Sequence, residues 1–444
     1  MKKLTVFLLI LTLSVCSFCL MACGKKDLDS SQFSISDERT FVYDGQKHII
    51  QVSAPDDVDV DYSVNDGEYM SAGSTNLVNA GNYKVKIRFS KYGYNDYYSN
   101  ELNMKINPKP VTAVVEDVDV LLEDATNENI ANIAPRFSHS GVLDDEVLGL
   151  KFSVSNFNES NKVAGASYEI TATATNKNYQ LSSNTARMTL VDRFSVVNQN
   201  EVQYYHDISD ALNNVEDNGT IKLNKDLILD QVLNIEKSVT LDGQNKFKIM
   251  ASNEFASSRL LDMGTASTIT LKDVVINANR KCRAVYINKG KLVIDNAFVT
   301  GGKTANSYIG GVYVTGNANF EMLSGSIKGN YCSSTYSNDN YKQYSADLWV
   351  GANAVASFAT INDGEVGNVF VNSNSYSATN PGQLTMNGGK IDNIYVECSD
   401  GYGAKFVYVD GEINHLFVAT GDSDGNSTEL TPVKNTTYTG GQKY

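Results

Sequence analysis

Six aromatic side chains recur in the second half of the chain, each between two aliphatic residues: Tyr286, Tyr313, Trp349, Phe370, Tyr395 and Phe417. Ring faces stack on flat apolar surfaces, among them the C–H faces of sugars, so a regular column of rings could grip an extended polymer. Four more tyrosines, Tyr331, Tyr336, Tyr341 and Tyr344, lie among Ser, Asn and Asp in the longer stretch before Trp349. That mixture supplies contact area and adaptable hydrogen bonds at small entropic cost. Groups for acid–base work are scarce by comparison. Beyond residue 215 arginine is limited to Arg259, Arg280 and Arg283, and histidine to His415. Asp363, Lys390 and Glu412 hold comparable places in successive repeats, so no acid recurs at one position. Sugar hydrolysis needs two carboxyl groups about 5–10 Å apart, and no such pair is visible. No catalytic residue is therefore assigned, and His415, at the turn where Asn368 and Asn393 sit, reads as a member of a turn ladder.

Metal chemistry is equally thin. Asp422, Asp424 and Asn426, followed by Glu429, are similar to part of a calcium loop, but the spacing is too short for an EF-hand. They are the only calcium candidates, and no other cofactor is expected. Asp56, Asp57, Asp59 and Asp61 read as a solvated strand edge, because alternate acids on a strand offer no loop to wrap an ion. The cysteines Cys282, Cys332 and Cys398 have no zinc-like spacing.

The rings define the elements that must position them. Their spacings are 27, 36, 21, 25 and 22 residues. Before several of them comes a second phrase, an apolar residue, two spacers, a small residue, a spacer, then Ile or Val. It runs 322–327, 361–366, 386–391 and 408–413, with looser versions at 271–276 and 294–299. Three short strands and three turns need about that many residues, so each repeat predicts one turn of a parallel solenoid. Residues two before and two after each ring are mostly polar or small, and the immediate neighbours are aliphatic. Alternation along a strand then turns the rings outward, an internal stack being the other arrangement. Outward rings would make Trp349, with the largest face, the strongest contact, and its loss nearly neutral for stability. Ile208, Ala211, Leu212 and Val215 share one helical face and predict a cap over the open end of the core.

The remaining chain reads as anchor and stalk. Lys2 and Lys3 precede an apolar run, Leu4 to Ala22, which describes a secretory signal over 1–22. The run ends Leu20-Met21-Ala22-Cys23-Gly24 and resembles the lipobox of bacterial lipoproteins. That resemblance implies cleavage before Cys23, lipidation of its sulfur, and attachment to the outer face of a membrane. Residues 23–37 read as a tether. The net charge of −14 becomes −16 once Lys2 and Lys3 are removed, which argues against a nucleic-acid partner. At 444 residues the chain exceeds one core.

Residues 38–107 and 108–192 alternate in short apolar runs between Asp, Gly and Asn, an all-β grammar. Tyr43-Asp44-Gly45, then Gly81-Asn82-Tyr83 before a long strand, with a closing strand at 102–106, carries a resemblance to the immunoglobulin-like MBG/YDG modules of bacterial surface proteins. The second stretch has Gly165-Ala166-Ser167-Tyr168 and Met188 to Val191 but lacks Tyr-Asp-Gly. Such modules serve mainly as spacers. Residues 193–444, a capping helix followed by coils, resemble the right-handed parallel β-helix of the pectate-lyase superfamily, a fold that hosts enzymes and adhesins alike. The expectation is an all-β chain, two immunoglobulin-like sandwiches then a capped β-helix, displayed at a bacterial surface for adhesion or glycan binding. Its partners would be a membrane, through the lipid, and an extracellular polysaccharide or surface glycoprotein. A polysaccharide lyase or hydrolase, and a plain structural spacer, are the alternatives.

Overall fold

Val85, Ile87 and Phe89 alternate along the strand Gly81–Ser90 and are fully buried, in one core with Leu102, Met104 and Ile106 of the neighbouring antiparallel strand Leu102–Asn107. That alternation, one face to the core and one to water, recurs along the chain. The computed structural model describes residues 24–182, 184–199, 201–304, 309–332, 347–353, 355–356, 358–373, 381–399, 401–420 and 427–442. Cys23, Tyr336, Tyr341, Tyr344, Asp422, Asp424 and Asn426 lie outside them. The fold is all-β with large sheets. The two α-helices among the described residues, Asn127–Ala131 and Ile208–Asn214, are short.

The chain divides into two units, the first of Met1–Val118, Asn127–Asn158 and Ser167–Met188, the second of Asp119–Thr126, Glu159–Ala166 and Thr189–Tyr444. In the first unit the strand Thr40–Val42 pairs with Leu102–Asn107, which pairs with Gly81–Ser90, then Asp59–Val64, then Met70–Ser71. Lys109–Val115 pairs with Phe137–Ser140 and Tyr179–Leu181, and Leu150–Val154 with Ser167–Ala174. One core runs through both stretches of this unit, from Ile50 and Val85 to Val111, Leu148 and Tyr179.

The Tyr-Asp-Gly segment sits at that junction, and each residue has a separate task. Tyr43 donates its hydroxyl hydrogen bond to Glu146, whose other oxygen accepts from Tyr179 at 2.6 Å. Asp44 accepts from the Gln46 amide at 2.8 Å. Gly45 adopts φ +76°, where a side chain would be strained and a Cβ would meet Leu143 at 3.0 Å. The acids expected at a solvated edge are partly ion-paired, Asp57 with Lys91 and Asp61 with Arg88.

Within the stretch read as a tether, residues 26–35 are docked on the first unit. Lys26–Asp27 pairs in parallel with Tyr94–Asn95, and Phe33 stacks on Phe89 at 4.2 Å. The apolar Leu28, Phe33 and Ile35 drive this docking, and composition alone hid them among polar neighbours.

In the second unit, strands stack in parallel, in register, in three columns. The first column runs Gly219–Leu223, Val239–Asp242, Thr268–Lys272, then the second half of Arg283–Asp295 and of Val312–Met322, then Phe358–Ile361, Gln383–Met386 and Lys405–Tyr408. The second column starts at Leu227–Leu229 and passes through Val275–Asn277 and Gly325–Ile327 to the start of Glu412–Ala419. The third starts at Leu233–Asn234 and passes through Arg259–Met263 and Leu348–Val350 to the end of Glu412–Ala419. Eight turns of chain result among the described residues, sharing one continuous aliphatic core. Each buried Val, Leu or Ile contributes about 1.5–3 kcal/mol, so the repeat of aliphatic positions is what fixes the register.

Both ends of the stack are closed. Phe194–Asn198 pairs antiparallel with the first strand, and Ser427–Leu430 and Thr436–Thr439 pair antiparallel with the last ones. The helix Ile208–Asn214 lies over the core through buried Ala211 and partly buried Ile208 and Leu212. Gly290, at φ +75°, turns the chain from the third column into the first, where a Cβ would stand 2.2 Å from the Ser267 carbonyl oxygen.

Candidate functional site

The third column carries the rings. Tyr286, Tyr313, Trp349, Phe370, Tyr395 and Phe417 occupy one register position on six successive turns. Their aliphatic neighbours, from Val285 and Ile287 to Leu416 and Val418, all belong to the main core. Strand alternation therefore sends the rings away from it, the first of the two arrangements that the pattern left open. They are not an open ribbon, however. Trp349, Phe370 and Tyr395 are 9%, 4% and 1% exposed and form a second, smaller apolar cluster with Ile309, Cys398 and Ala419. The expectation that Trp349 is the chief surface contact is thus corrected. Trp349 stacks on Phe370 at 4.1 Å and 13°, and Phe370 on Tyr395 at 5.1 Å and 22°. Covering the rings removes apolar faces from water, which alternation alone does not anticipate.

The column opens at its ends. Tyr286 and Tyr313 are half-buried and meet edge-on at 5.5 Å, and Phe417 is half-buried at the other end. Arg259 and Arg283 are register partners on adjacent turns. The Arg259 guanidinium lies over Tyr286 at 4.4 Å, and that of Arg283 over Tyr313 at 4.8 Å. Arg259 also pairs with Asp262 at 3.2 Å. Burial pulls the Arg283 guanidinium below its usual pKa, and the Arg259 charge adds to this. A little apart, Arg280 lies over the ring of Tyr331 at 4.7 Å and donates to its hydroxyl at 3.1 Å, with Tyr331 itself exposed. A guanidinium stacked on a ring keeps its N–H edge in the plane for oxygen acceptors. The three arginines named from sequence alone are each held by a tyrosine, an arrangement that their positions in the chain do not reveal.

Polar ladders flank the rings on both sides. Asp347, two residues before Trp349, is buried and accepts from the Asn330 amide and side chain at 3.0 and 2.9 Å. Its other oxygen accepts from the Asn368 amide and side chain at 2.9 and 3.3 Å. Asn393 donates to Asn368 at 2.9 Å, and His415, next in register, meets Glu429 at 2.7 Å. On the other side Glu397 accepts from Ser373 at 2.8 and 3.0 Å and from Asn372. Burial pushes both carboxyl groups above their usual pKa, against the opposing pull of these hydrogen bonds. Asn330, at the centre of the Asp347 network, also donates to Val299 and accepts from Gly302. Its partners come from 17 to 31 residues away, so no local pattern pointed to it.

Each carboxylate thus acts as an acceptor that ties neighbouring turns together. Cys282 is buried with its thiol pushed up to about 12 by that burial, and Cys398 is packed among the rings. Among the described residues no cluster of three or more His, Cys, Asp or Glu could hold a metal ion. No helix among them is long and apolar enough to cross a membrane. Comparison with protein-family models, with curated proteins and with solved structures returns no match to this chain.

Proposed function

We propose that this chain is a lipid-anchored surface protein that binds a glycan without turning it over. In this reading two immunoglobulin-like modules carry a capped parallel β-helix, and Cys23 holds the whole to the outer face of a bacterial membrane. The parallel, in-register stacking over eight turns supports the β-helix, and the mixed sheets of the first unit, with their antiparallel pairs along Gly81–Ser90 and Ser167–Ala174, support the modules. The observation that carries the binding reading is the open end of the aromatic column, where Tyr286 and Tyr313 sit beside Arg259 and Arg283. Ring faces meet the C–H faces of sugars while guanidinium edges donate to hydroxyl, carboxylate or sulfate oxygens. The ligand is an extracellular polysaccharide or the glycan of a surface glycoprotein. The acidic chain disfavours nucleic acid, and no metal or cofactor enters the account.

The buried middle of the column favours a second, structural reading for that part alone. Trp349, Phe370 and Tyr395 brace the stack and take no part in recognition. A glycan array probed with the full-length protein tests the proposal. Selective retention of one class of polysaccharide, unchanged in chain length after incubation, is the expected result. No retained glycan, or shortened products, would overturn it in favour of a spacer or of a lyase or hydrolase respectively.

A further inference from the structure

We infer that the tyrosine-bearing segment 91–98 of the first unit is a membrane-docking patch that rests in the lipid headgroup layer beside the anchor. The inference rests on the reading of Cys23 as the lipidated residue. Its structural basis is the pairing of Lys26–Asp27 with Tyr94–Asn95, in which Lys26 aligns with Tyr94 and its amide donates to Gly93. Asn95 donates to Asp27 at 2.8 Å and fixes the same contact from the side. The docked strand leaves only Gly24 and Lys25 between Cys23 and this pairing. Three residues span at most about 11 Å when fully extended. The headgroup layer of one leaflet is itself about 5–8 Å deep. Whatever path those residues take, lipid on Cys23 would bring Tyr94 and its neighbours to the bilayer surface.

What the segment presents there suits that surface. Tyr92 is fully exposed at 101%, and Tyr97 and Tyr98 are 39% and 51% exposed, with Met70 exposed on the same unit. Tyrosine joins an apolar ring to a polar hydroxyl and concentrates at membrane–water interfaces for that reason. Lys25 and Lys26 are exposed, and Lys91 lies over the Tyr94 ring at 5.2 Å, so long cationic side chains flank the rings. Asp27, Asp57 and Asp96 offset those charges, which makes the match one to the interface itself and not to anionic lipid. A surface protein held by flexible lipid chains gains a fixed orientation from such a second contact.

The test uses the full-length protein from a bacterial host that processes lipoproteins, with Trp349→Phe to remove the single tryptophan and Tyr92→Trp to report from the patch. It is placed in phosphatidylcholine vesicles, with intact mass recording lipid on Cys23. The expected result is a blue-shifted indole emission from the Tyr92→Trp reporter that loses more than half its intensity to brominated phosphatidylcholine. Adding Cys23→Ala should abolish that loss. Unquenched emission from a protein whose mass includes the lipid overturns the docking patch and leaves the anchor standing. A mass without lipid overturns both. Emission that shifts with a soluble polysaccharide and not with vesicles assigns the patch to glycan and equally overturns the inference.

Discussion

Replacing Trp349 by alanine separates a covered ring from an exposed one. The side chain is 9% exposed, lies flat on Phe370 at 4.1 Å and meets Tyr313 edge-on at 6.3 Å. Truncating a buried aromatic to alanine costs about 3–5 kcal/mol through lost transfer energy and the cavity left behind. Aromatic pairing adds about 0.5–1.5 kcal/mol for each neighbour. Ile309 and the partly buried Tyr313 can relax into part of the space, so the expected loss is about 3–4 kcal/mol. Trp349→Phe keeps the stack and should cost about 1–2 kcal/mol, within the ordinary range for a single substitution. Urea unfolding followed by far-ultraviolet circular dichroism measures both, since the variants lack the fluorescent reporter. A loss below about 1 kcal/mol for Trp349→Ala, the value typical of surface positions, would refute the packing described for the middle of the column.

Other outcomes follow from particular groups. Asp347→Ala strands the buried donors of Asn330, each worth about 1–3 kcal/mol when left unpaired, and those of the half-buried Asn368; denaturant unfolding should show a loss of about 2–3 kcal/mol, and a neutral result would contradict the ladder. Glu123 is held at about 2 by hydrogen bonds from Arg193 and Lys225. A lowered folded pKa gives stability that is fully present above the ordinary value, 4.5, and lost as pH falls toward 2. Thermal scans across that window should fall less steeply for Glu123→Gln than for the parent, and parallel curves would contradict the pairing. Cys23→Ala should move the protein from the membrane to the soluble fraction in cell fractionation, and its continued partition into detergent would contradict the lipid anchor.

How much of this could be read from residues alone depends on the range of the contacts involved. The all-β class, the short capping helix and the six-ring register follow from alternation and spacing, which are local properties. The direction of the rings was legible too, because Val285, Val312, Leu348 and their equivalents had to face a core. Their covering was not. Ile309 and Cys398 close over Trp349 and Tyr395 from different turns, and nothing in a single repeat encodes that approach. The same limit hid Asn330 beneath Asp347 and turned the docked residues 26–35 into an apparent tether. Tyr43 was visible as part of a motif, yet its bond to Glu146 spans 103 residues and depends on the fold of both stretches.

The central claim is that recognition belongs to the open end of the aromatic column. It is tested most directly by titrating the array-selected polysaccharide into the full-length parent, a Tyr286→Ala/Tyr313→Ala variant and Trp349→Phe. Stacking on a ring contributes on the order of 1–3 kcal/mol for each flat ligand unit, and about 1.4 kcal/mol is a tenfold change in affinity. The double variant should therefore bind at least about tenfold more weakly, and Trp349→Phe should bind as the parent does. Full affinity in the double variant, with the loss falling instead on Trp349→Phe, would contradict the claim.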